Sequence, residues 1–237
     1  MILLNCDMGE GMDFDREIMP LVDMANLACG AHAGSLELMN SNVLLAKMHD
    51  VDIGAHPSYP DRENFGRASM CMSREDLMST IIDQISLLDG VCASAGVALS
   101  YVKPHGALYN DMMADEELFG IAVESVARYS IDLKLMILSS PQNAHYAKIA
   151  SKHKLELLYE LFADRNYTDE GSLVPRAKPN AVIESAEEIV SRIRDYMNTG
   201  TLKSINAKPL ELIGDSLCVH GDNLESLEII KSLRAIL

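Results

Sequence analysis

The chain has 237 residues, 48% of them hydrophobic and 23% charged, with a formal net charge of −15. That length suffices for one large α/β domain with a sizeable core, and the composition excludes a disordered chain. The negative charge argues against a nucleic-acid backbone or an anionic membrane surface as partner. No apolar run approaches the roughly 18 residues of a membrane span. The start, Met1-Ile2-Leu3-Leu4-Asn5-Cys6-Asp7, turns polar too soon for a signal peptide. Five scattered cysteines without a C-x-x-C spacing predict reduced thiols in a cytoplasmic protein.

In chain order, short apolar runs alternate with helical patterns. Strands are predicted over 2–6 and 24–29, followed by a helix over 35–47 that Ser35 would cap. A strand over 51–54 precedes the clearest helix, 73–95. There Ser73-Arg74-Glu75-Asp76 resembles a capping box, and Leu77, Ile81, Ile85 and Leu88 share one face. Strands over 98–102, 133–138 and 155–162 alternate with helices over 115–129 and 141–153. A loop over 164–181, rich in charge, Gly and Pro, leads to a helix over 185–197. A last strand over 216–219 and a helix over 223–236 complete the series. Near-continuous apolar strands separated by helices predict a parallel α/β fold, and seven of them predict a (β/α) barrel over residues 1–237 as a single domain. A doubly wound open sheet is the competing architecture.

Four histidines share one local setting, an apolar run followed by His with Gly close by. They are His32 in Gly30-Ala31-His32-Ala33-Gly34, His56 in Gly54-Ala55-His56-Pro57, His105 in Lys103-Pro104-His105-Gly106, and His220 in Val219-His220-Gly221-Asp222. Strand ends that each deliver an imidazole suggest convergence on one pocket, as in βα barrels. Asp7 and Glu10 follow the first strand. Asp7, His32 and His56 could bind a divalent metal facially, or the imidazoles could instead bind substrate and shuttle protons. Lys103 at the end of a buried strand needs a partner, with Asp7, Glu10 and a substrate carboxylate as candidates. Arg67 and Arg165 suit carboxylate or phosphate recognition. Asp222 could orient His220 or cap the last helix. Neither G-x-x-x-x-G-K-[ST] nor G-x-G-x-x-G after a strand is present, so ATP has no recognisable site here.

These runs together resemble the LamB/YcsF family, the A subunit of the prokaryotic ATP-dependent 5-oxoprolinase. The matching pieces are Asn5 through Glu10, Ala25 through Gly30, His32-Ala33-Gly34, Ile53 through Asp61, Phe65-Gly66-Arg67, Val102 through Asn110, Phe162 through Arg165, Tyr167-Thr168-Asp169, Gly171 and Cys218 through Asp222. The resemblance implies a seven-stranded barrel of the glycoside hydrolase/deacetylase type. It implies opening of the 5-oxoproline lactam to L-glutamate, driven by ATP hydrolysis, with partner subunits B and C completing the enzyme. The matched runs offer Asp7, Glu10, His32, His56, Lys103, His105 and His220 as catalytic candidates. Asn26, Arg67, Tyr109, Asn110, Asp164, Arg165 and Asp222 are the substrate-binding candidates. This chain departs from the family pattern at Ser35, Ala68 and Asn166, which removes one acid and two positive charges near the site. The alternative reading is a stand-alone metal-dependent hydrolase or deacetylase acting on a carbohydrate or amide.

Overall fold

The computed structural model describes residues 2–219 and 224–237. Its seven-stranded sheet closes on itself. The strands are β1 (Leu3–Met8), β2 (Met24–Ala28), β3 (Asp52–His56), β4 (Tyr101–Val102), β5 (Lys134–Leu138), β6 (Glu156–Phe162) and β9 (Ser216–Cys218), all parallel to their neighbours. A two-stranded antiparallel hairpin, β7 (Thr201–Lys203) and β8 (Pro209–Glu211), stands outside the barrel. Helices α1 (Asp15–Ile18), α2 (Leu36–His49), α3 (Arg74–Ala95), α4 (Gly106–Ala114), α5 (Glu116–Tyr129), α6 (Asn143–Ser151), α7 (Ala186–Thr199) and α8 (Leu224–Arg234) connect the strands.

The predicted parallel barrel and its seven strands are present, and the open sheet is excluded by the β9–β1 pairing. The hydroxyls of Ser35 and Ser73 accept from Leu38 and Asp76 amides, so the two expected caps form. Boundaries differ in ways that matter for chemistry. β1 runs on to Met8, which places Asp7 inside the barrel wall rather than after it. β3 extends to His56, so this imidazole also sits on the strand itself. Helix α4 departs from the sequence pattern, in which Pro104 and Gly106 mark only a turn. Burial of Ala107, Leu108, Tyr109 and Met112 outweighs the poor helix propensity of Gly106. The hairpin is a second departure, its strands being short and one of them carrying a proline.

The barrel interior is filled in layers. Met24, Tyr101 and Met136 form an apolar floor cluster separate from the large core between strands and helices. Tyr101 lies across Gly54, its partner in the β3–β4 register. A Cβ on Gly54 would come within 2.2 Å of the Tyr101 ring. Gly54→Ala therefore forces the ring out of the floor and is expected to cost about 1–3 kcal/mol, the usual range for overpacking. Urea denaturation should show a lower midpoint, and an unchanged midpoint would mean that the floor is not rigid. Above this floor the interior turns polar, with Asn5, Asn26, Lys103, Glu160 and Ser216 all buried. The polar layer marks the end of the barrel at which strands become loops.

Candidate active site

Lys103 organises the polar layer. It follows β4 and is 2% exposed. Its ammonium donates to Asp7 Oδ1 at 2.8 Å and pairs with Glu160 Oε1 at 2.8 Å. The expectation that Lys103 meets Asp7 is met, whereas Glu10 lies with the histidines instead. Burial opposes the ammonium charge, but Asp7 and Glu160 outweigh it and hold the Lys103 pKa well above the ordinary lysine value. Asp7 Oδ1 also accepts from Asn26, whose own carbonyl accepts from the Tyr101 hydroxyl at 2.6 Å. Glu160 Oε2 accepts from the Tyr109 hydroxyl at 2.8 Å. Carboxylates, ammonium, phenols and amides thus form one buried, mutually oriented network.

The second group is made of imidazoles. His32 and His105 stack with ring centroids 3.8 Å apart and planes 2° from parallel, while His56 meets His105 edge-on. His56 Nδ1 donates to the Lys103 carbonyl at 2.6 Å, and His105 Nε2 donates to the Phe65 carbonyl at 3.0 Å. Ser58 Oγ donates to the Tyr59 carbonyl, so it accepts from His32 Nδ1 at 3.0 Å. Burial, with His56 next to it, holds His32 down to about 3. Burial, with His56 and His32 beside it, holds His105 down to about 2. Glu10 faces the cluster, its Oε1 lying 3.3 Å from His32 Nε2 and 3.6 Å from His105 Nδ1. Donor atoms of Glu10, His32, His56 and His105 all lie within 4.8 Å of one another, a set able to hold a metal ion. Asp7, expected among the metal ligands, is not in that set; its Oδ1 pairs with Lys103 and its Oδ2 lies 3.5 Å from His56 Nε2.

Phe65-Gly66-Arg67 packs against the imidazole group. Gly66 adopts φ +66°, and a Cβ there would meet His32 Cβ at 2.9 Å and His105 Cδ2 at 3.0 Å. Only glycine permits both the backbone angle and the close approach.

Asp7, Glu10, His56, Lys103 and His105 line a cavity of about 810 Å3 that opens at the strand ends. Arg67, Tyr109, Asn110 and Arg165, expected to bind substrate, also line it. Arg165 is buried, donates to the Val174 carbonyl at 2.7 Å, and is lowered to about 10 by burial and then by Arg176. Three other expected site residues lie behind the wall. His32 backs His105, Asn26 supports Asp7 from below, and Asp164 is buried away from the cavity. His220 and Asp222 lie outside the described residues. Glu160 is not among the sequence candidates, although a lone acid in Leu157-Leu158-Tyr159-Glu160-Leu161-Phe162 is an anomaly in an apolar strand. Nor is Ser58, whose role depends on a hydroxyl that no local pattern marks.

The LamB/YcsF family model matches residues 2–237. A 5-oxoprolinase A subunit of Vibrio cholerae serotype O1 is 45% identical over 241 residues, covering 100% of this chain and 97% of that one. A protein of Pseudomonas aeruginosa, the third 5-oxoprolinase A subunit by its name, is 44% identical over 241 residues, covering 100% and 96%. The crystal structure of a lactam utilization protein from Thermus thermophilus superposes with a TM-score of 0.89 at 35% identity, covering 98% of this chain and 94% of that one. A closed seven-stranded barrel, matched from end to end by the family model and by relatives of this identity, places the chain in the LamB/YcsF family.

Proposed function

We propose that the chain is the A subunit of an ATP-dependent 5-oxoprolinase, a cytoplasmic enzyme that opens the lactam of 5-oxoproline to L-glutamate. Subunits B and C are its partners and supply the site for ATP. The observation that carries this reading is full-length similarity to proteins named as the A subunit of that enzyme. The helices add one consistent fact, since no helix among the described residues is long and apolar enough to cross a membrane.

The proposed reaction sets the chemistry that the pocket would have to perform. A lactam is a stabilised amide, so water attacks it slowly. ATP-dependent phosphorylation of the carbonyl oxygen would make the carbon electrophilic and give it a good leaving group. Water then adds its oxygen to that carbon, the C–N bond breaks as the ring nitrogen takes a proton, and a second water hydrolyses the resulting acyl phosphate to L-glutamate and inorganic phosphate. Asp7 and Glu10 face the cavity with carboxylates and are the candidates for activating that water, while His105, its Nε2–H held by the Phe65 carbonyl, shapes the cavity beside them. Lys103 is clamped by two carboxylates and acts through its charge on the developing anion rather than as a free ligand for substrate. Arg67, at the cavity wall, is the candidate partner for the substrate carboxylate. His56, with its Nε2 2.9 Å from His105 Nδ1, and His32, stacked on the ring face, orient His105. A divalent cation at the imidazole cluster belongs to the same reading.

A lysate lacking this chain but containing working partners tests the assignment. Adding back the purified chain should restore glutamate formation from 5-oxoproline only when ATP is present. The four-residue metal-capable cluster favours one other reading, a stand-alone metal-dependent hydrolase or deacetylase. Activity that is chelator-sensitive and indifferent to ATP would select that reading and remove the first.

A further inference from the structure

The imidazole cluster has a hydrogen-bonding conflict. A carbonyl can only accept, so the proton of His56 is on Nδ1, facing Lys103 O, and that of His105 is on Nε2, facing Phe65 O. In the neutral rings this leaves His56 Nε2 and His105 Nδ1 as two lone pairs 2.9 Å apart. The Ser58 hydroxyl is committed to the Tyr59 carbonyl, so His32 carries its proton on Nδ1. Its Nε2 lone pair then faces Glu10 Oε1 at 3.3 Å, a second acceptor against an acceptor. One proton would relieve one of these contacts and leave the other. One divalent cation would relieve both.

We infer that Glu10, His32, His56 and His105 form a binding site for a single divalent transition ion of the zinc class, through Oε1, Nε2, Nε2 and Nδ1. The donor set, three imidazoles and one carboxylate, suits zinc and its first-row neighbours, whereas magnesium and calcium select oxygen. Ligands 2.0–2.1 Å from a tetrahedral ion lie about 3.3 Å from one another. Three of the six separations, 2.9, 3.3 and 3.6 Å, bracket that edge, and all six lie within 4.8 Å. Each imidazole already has its other nitrogen held by a hydroxyl or carbonyl, the arrangement that orients metal-binding histidines. Binding requires one movement. An ion must lie near the plane of every ring that binds it, so the parallel His32–His105 stack has to tilt open. Asp7 is not in the four-residue set and is the counter-charge of Lys103 beside it. The inference rests on the proposed lactam reading only for what the ion would do, which is to act as Lewis acid at the cavity floor.

The test uses the full chain, stripped with a chelator and titrated with Zn2+ by calorimetry and with Co2+ by visible absorption. One equivalent of ion is expected, with cobalt bands of four-coordinate intensity. Glu10→Gln should weaken binding more than tenfold, and Ser58→Ala, which frees the His32 tautomer, about 10- to 100-fold. Thermal melts of the variants separate lost ligands from lost folding, and Glu10→Gln, at the pocket surface, is the variant least exposed to that problem. Two results would overturn the site. One is a wild-type chain that takes up no stoichiometric ion and shows protonated Nε2 on His56 by 15N resonance. The other is binding that survives both Glu10→Gln and Ser58→Ala unchanged. Ion binding without any glutamate formation in the complete system would overturn the lactam reading and leave the site standing. Full-rate glutamate formation by a chain that binds no ion would do the reverse.

Discussion

Replacing Lys103 with Met should cost the protein about 3–5 kcal/mol, the range for removing one partner of a buried ion pair. The reason is what remains. Asp7 and Glu160 would face each other across the vacated ammonium position, with Glu160 fully buried and Asp7 only slightly exposed at the cavity. Methionine matches the shape of the lysine stem, so little of the effect would come from lost packing. The double variant Lys103→Met/Glu160→Gln should recover part of the loss, because it removes one of the two stranded charges. Urea denaturation of the single and double variants measures both values. A single-variant loss below about 1 kcal/mol would mean that the network is solvated and contributes as a surface pair does.

Acid should destabilise the chelator-treated protein steeply. His32 and His105 are held down to about 3 and about 2 in the fold, first by burial and then by neighbouring imidazoles. In the unfolded chain they titrate near ~6.5. The unfolded state therefore binds more protons throughout the interval between those values, and stability falls as pH falls. Their contribution is intact above about pH 6.5 and is lost progressively toward pH 3. Each histidine supplies a slope of about 1.4 kcal/mol per pH unit, so the two together approach about 2.7 in the middle of the interval. Melting temperatures measured from neutral pH down to about pH 4 should drop accordingly, and His105→Gln should flatten the slope by about half. A melting temperature independent of pH over that range would show that the rings are protonated or solvent-reachable in the folded state.

Much of the barrel is legible because its strands are buried on both faces, and continuous apolar runs such as Leu133 through Leu138 announce that directly. The helix starts at Ser35 and Ser73 are legible because a hydroxyl before an amphipathic run has one common use. Strand ends are less so. Asp7 and His56 read as loop residues because they are polar, yet both belong to strands that turn polar where the barrel does. The convergence of His32, His56 and His105 can be anticipated from three similar strand-end patterns. Their pairing cannot, since stacking of His32 on His105 depends on the Phe65-Gly66-Arg67 loop packing between distant segments. Asn26 and Asp164 show the converse. A polar residue in a matched motif carries no sign of whether it faces the cavity or supports a residue that does.

The central claim is that the lactam ring opens in this pocket, next to His105 and the clamped Asp7. The direct measurement is glutamate formation from 5-oxoproline with subunits B and C and ATP, using wild type and His105→Ala chains of equal melting behaviour. Glutamate from the wild type alone, with ATP consumed in proportion, is the predicted result. Equal rates from both chains would contradict the claim and move the ring opening away from this pocket.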